Sequence, residues 1–112
     1  MNPIEKSSPL NLIKSNKNFQ SINGKKVIPY GRSGKFSGEV VKTRLQQKTS
    51  SQDRGVVAII CWNDRIQSNV LFLENSRVRV WTNKVEYGDK WYWDTEGYLR
   101  IKMDRGSQYI FN

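Results

Sequence analysis

Histidine is absent from this 112-residue chain, cysteine occurs once, and the three prolines all fall within the first 29 residues. Without His there is no Ser-His-Asp or Cys-His machinery, no imidazole base and no imidazole metal ligand. The single cysteine, Cys61, excludes an intrachain disulfide and any Cys₄ or Cys₂His₂ zinc site. No apolar run approaches the roughly 18 residues that a membrane-spanning helix needs. None follows the first charges as a secretory leader would require. These absences set the expectation of a non-enzymatic chain without cofactor or membrane partner. The Lys-rich, disulfide-free composition favours an intracellular setting, cytoplasmic or nuclear.

What is present is positive charge and aromatic rings. Lys and Arg number 19 against 10 Asp and Glu, a net charge of +9. Residues 1–54 hold eleven of the cations and three of the acids, whereas residues 55–112 are nearly neutral. The rings run the other way: ten of thirteen, including all four Trp, come after residue 54. A basic front end therefore precedes an apolar, ring-rich back end, as expected of a flexible basic arm (residues 1–24) attached to a single β domain (25–112).

From Gly24 onward the pattern is of short apolar segments broken by turn residues. Strands are expected at Lys25–Tyr30 and Phe36–Arg44, with Gly31-Arg-Ser-Gly34 as the turn between them. Lys42 to Arg54 reads as a long exposed loop, with a helix through Val40–Lys48 as its rival. Val56-Val-Ala-Ile-Ile-Cys-Trp62 is too short for a helix and rich in β-branched residues, the pattern of a strand buried on both faces, with Cys61 inside it as a small hydrophobe. Further strands are expected at Ile66–Leu73, at the strictly alternating Arg77-Val-Arg-Val-Trp81, and at the final Gln108–Phe111. Tyr87-Gly88-Asp89 reads as a turn, and Asp94-Thr-Glu-Gly97 as a hairpin connection between Trp91–Trp93 and Tyr98–Ile101. Turn signals at intervals of about 8–12 residues argue for an all-β, mainly antiparallel fold, a small barrel or sandwich of about six to seven strands wired as a meander.

Most motifs are excluded. Gly31-Arg-Ser-Gly34-Lys35 fails the nucleotide phosphate-loop pattern, because no Gly stands five or six positions before Lys35 and Phe36 follows it. It remains a basic, glycine-bearing turn whose N–H groups could meet a phosphate backbone. The carboxylates fall mostly in turns, and no spacing singles out a metal-binding set.

The aromatic residues carry more information. In Trp91-Tyr92-Trp93 the two indoles share one face and Tyr92 takes the other. Trp81 shares a face with Arg77 and Arg79. The expected function is non-catalytic binding of nucleic acid, single-stranded DNA or RNA rather than duplex. Lys25, Lys26, Arg32, Lys35, Lys42 and Arg44 would neutralise phosphates, and Arg77, Arg79, Trp81, Tyr92 and Trp93 would form a stacking platform on a common concave surface. The alternative is a protein-interaction module (an inhibitor, adaptor or assembly subunit, of viral or mobile-element type) or a homo-oligomer, since Arg and aromatic residues are also enriched at protein interfaces.

Overall fold

The structure, a computed structural model, describes residues 22–30, 36–51, 53–104 and 106–112. Eight antiparallel strands follow one another around a closed barrel in sequence order. They are β1 (Lys26–Tyr30), β2 (Gly38–Gln46), β3 (Gly55–Trp62), β4 (Gln67–Leu73), β5 (Arg77–Thr82), β6 (Val85–Trp93), β7 (Leu99–Met103) and β8 (Gln108–Phe111). The all-β meander read from the turn signals is therefore present, with one strand more than expected. Closure is made by β1 against β8, where Val27 pairs with Phe111 and Tyr30 with Gln108.

Strand alternation divides each strand between an apolar interior and a polar exterior. Val27, Val40, Val56, Ala58, Ile60, Val70, Phe72, Val78, Val80, Trp91, Leu99, Ile101 and Phe111 fill the barrel and are all buried. Ile22 joins them, fully buried, so the packed body begins before the boundary expected at residue 25. Residues 1–21 of the expected arm lie outside the described residues. One end of the barrel is plugged by rings: Phe72 meets Trp91 edge-on at 5.7 Å and Phe111 at 5.6 Å. The Trp91 Nε1 donates to the Leu73 carbonyl at 2.9 Å, so this indole is buried without losing its hydrogen bond.

Three local expectations are corrected. The polar stretch after Lys42 is strand as far as Gln46, not loop or helix, because Thr43 and Leu45 face the interior opposite Ala58 and Val56. Tyr87-Gly88-Asp89 is not a turn but the middle of β6. Gly88 stands there because a Cβ would lie 2.6 Å from the Val78 carbonyl oxygen, a close approach of neighbouring backbone rather than a change of direction. The actual turn is Asn83-Lys84, with φ of 50° and 66°, a two-residue hairpin in the left-handed region that matches strand twist. Cys61 is half-buried on the outer wall beside Glu39 and Gln67, not within the core. β3 is covered on both faces only over its first half, where Val57 joins Leu71, Leu73 and the edge of Trp81 in a small outer cluster.

Candidate nucleic-acid interface and the barrel mouth

The outward positions of the strands are strongly cationic. By register they carry Lys26, Lys42, Arg44, Arg77, Arg79, Lys90, Arg100 and Lys102, against only Glu39 and Glu86. Apolar residues inside and cations outside are the reverse of what a lipid-facing barrel wall requires. No helix among the described residues is long and apolar enough to cross a membrane.

A continuous band runs along the outer faces of β5, β6 and β7. Trp81 and Arg79 lie on successive outward positions of β5, with the Arg79 guanidinium 5.2 Å from the indole centroid. Arg77 follows on the same strand. It pairs in register with Lys90 on β6, and Lys90 pairs with Lys102 on β7, so three cations stand abreast. Tyr92 is the next outward residue of β6. The band thus runs from an indole, through cations, to a phenol over about 20 Å, at two residues per outward step.

The charges of this wall are not all equally free. Arg79 is engaged by Glu86 at 2.8 Å. Arg100 is held at 2.7 Å by Asp94 and lies 4.2 Å over the Tyr30 ring. Burial would raise the Asp94 carboxyl, but the Arg100 guanidinium and the Tyr98 and Glu96 N–H groups outweigh it and hold the acid below its usual range. The same hydrogen bond raises the Arg100 guanidinium, against the opposing effect of burial. By contrast, no carboxylate among the described residues lies within 4.0 Å of Arg77, Lys90 or Lys102.

The early-strand cations do not join this band directly. Lys42 and Arg44 share rungs with Trp81 and Arg79 respectively, but β3 and β4 intervene, with Ile59, Asn69, Val57 and Leu71 between them. Three strand spacings make that separation about 14 Å along a convex wall. Lys26 stands on β1 opposite Glu39, and Lys25 precedes the strand. Arg32 and Lys35 lie outside the described residues. A common concave surface is therefore not formed by the described members of the two groups. Trp93 is also misplaced by the expectation that set it beside Tyr92. It faces inward with Trp91 and packs against the core, and its buried Nε1 has no hydrogen-bond partner among the described residues. Lys90 and Lys102 were missed, because reading Gly88 as a turn hides the register that sets Lys90 opposite Arg77.

A hollow of mainly apolar lining lies at the barrel end opposite the ring plug, apart from a more polar one beside Arg77, Arg79, Glu86 and Asp89. The apolar one is a cavity of about 410 Å³, lined by Trp62, Tyr87, Tyr109, Phe36 and Ile66 around the aliphatic side chains of Val70, Val80, Ile101 and Met103. Trp62 and Tyr109 rings lie 5.2 Å apart and tilted by 56°. Burial raises the Tyr109 phenol above its ordinary range, so it is neutral at physiological pH. Part of the polar lining is a short chain: the Trp62 Nε1 donates to the Ser68 hydroxyl at 2.6 Å, and Ser68 shares a short hydrogen bond with Thr82. No group of three or more potential metal ligands converges among the described residues. Comparison with known protein families, characterised proteins and solved structures finds no match to this chain.

Proposed function

We propose that the protein binds single-stranded nucleic acid, DNA or RNA, along the outer wall of β5–β7 without acting on it chemically. The observation that carries this reading is the row Arg77–Lys90–Lys102. Like charges placed directly opposite across a sheet destabilise it by a few tenths of a kcal/mol each. Three abreast with no acid between them are a cost that a polyanion would relieve. Phosphates laid across this row would be neutralised in turn, while Trp81 at one end and Tyr92 at the other offer rings for unpaired bases. Among the described residues the wall carries no helix to enter a major groove, which favours a flexible single strand over duplex.

Fluorescence anisotropy with a labelled 20-nucleotide homopolymer tests the reading. Affinity should fall with salt with a logarithmic slope near −0.7 per phosphate contact, about −2 for the three-cation row alone. Lys90→Ala with Lys102→Ala should remove between one and two contacts from that slope. Absence of binding at low salt, or a slope unchanged in the double variant, overturns it.

A further inference from the structure

The cationic wall leaves the cavity at the open barrel end without a role. We infer that this mouth is a second binding site, for a small, uncharged, largely apolar ring compound carrying a hydrogen-bond acceptor such as a carbonyl. Volume, lining and proton inventory each contribute to this inference. A cavity of about 410 Å³ falls within the range of small-molecule sites, and eight strands enclose just enough space for one such ligand.

The lining selects against charge. Its only ionisable carboxylate among the described residues is Asp64 at the rim, which already accepts the Ile66 N–H at 3.0 Å, and no described Lys or Arg lines the cavity. An anionic ligand would lose its hydration there without a counter-charge. The rings of Trp62 and Tyr109 and the aliphatic floor would instead cover a flat apolar body.

The acceptor follows from counting protons. Ser68 and Thr82 each carry one hydroxyl proton, and Ser68 already accepts from Trp62. The bond between the two hydroxyls consumes one proton, whichever residue donates it. One O–H is left over, and no acceptor for it is found among the described residues. Ser68 is almost wholly buried, and both hydroxyls line the cavity. That O–H is a donor at the cavity wall, and a ligand carbonyl would accept it.

The four indoles report the site directly, because each occupies a different setting. Trp62 lines the mouth, Trp81 the outer wall, Trp91 the plugged end, and Trp93 the inner wall. In a ¹H–¹⁵N spectrum of the full chain, with indole signals assigned by Trp→Phe variants, 2-acetylnaphthalene should shift the Trp62 signal saturably and leave the Trp81 signal in place. It should bind about threefold to tenfold more tightly than 2-ethylnaphthalene, which has the same shape without the acceptor, and more tightly than anionic 2-naphthoate. Ile66→Trp at the rim, in a protein that melts like the parent, should abolish the shift. No saturable shift, a shift centred on Trp81, equal binding of the acetyl and ethyl compounds, or preference for the anion would overturn the inference. An oligonucleotide should instead move Trp81, so the two sites succeed or fail separately.

Discussion

Arg77 and Lys90 face each other across the β5–β6 ladder on the outer wall, with Lys102 next in line and no acid between them. A folded domain gains nothing from this arrangement, so stability and binding should respond to it in opposite directions.

Lys90→Glu should therefore stabilise the barrel by about 0.5 kcal/mol, replacing two opposed like pairs with two attractive ones. It should weaken single-strand binding at least severalfold. Urea denaturation and anisotropy on the same preparation measure both. Loss of stability would mean that the cations are not repelling one another as the register implies.

The two inward indoles of β6 should behave unequally. Trp91→Phe leaves a cavity and deprives the Leu73 carbonyl of its donor, a loss of about 2–3 kcal/mol. Trp93→Phe also removes volume, but it deletes a buried N–H that has no partner among the described residues, so its cost should stay below about 1 kcal/mol. Thermal melts of the pair give the difference.

Asp94 makes a pH-dependent contribution. Its Oδ1 accepts the Glu96 and Tyr98 N–H groups, each at 2.9 Å, and its Oδ2 accepts Arg100 Nε at 2.7 Å. Because the folded-state pKa is lowered, the stabilisation is present in full above the unfolded value and is lost as pH falls through the folded one. Asp94→Asn should be less stable than the parent by about 1–2 kcal/mol at pH 7. The gap should narrow progressively below the ordinary Asp range near pH 4. Denaturation series at pH 7 and pH 3 test this, and a constant gap would contradict it.

Gly88→Ala places a methyl group 2.6 Å from the Val78 carbonyl oxygen inside a paired strand. Backbone must shift to admit it, at about 1–3 kcal/mol. If Gly88 were a flexible turn, the same change would be close to neutral.

Local pattern carried the strands well and the site poorly. The alternation of Arg77-Val-Arg-Val-Trp81 separates inside from outside within five residues, and Gly97, with φ of 90°, marks a turn where a turn is found. Gly88 misled because a glycine required by close packing looks the same in sequence as one required by a turn. Asn83-Lys84 went unnoticed because a Lys with positive φ is uncommon. The Arg77–Lys90–Lys102 row exists only once three strands are in register. Trp62, Ser68, Thr82 and Tyr109 likewise meet only because the sheet curls shut. Neither grouping has a spacing that could be recognised along the chain.

The seam between β1 and β8 has a kinetic corollary. Val27 cannot meet Phe111 until 84 further residues have been made, so during synthesis the emerging sheet carries an unsatisfied margin up to the last strand. Removal of Gln108–Phe111 would leave both β1 and β7 with a bare flank open to foreign strands, and such a truncation should favour self-association over a smaller version of the same body.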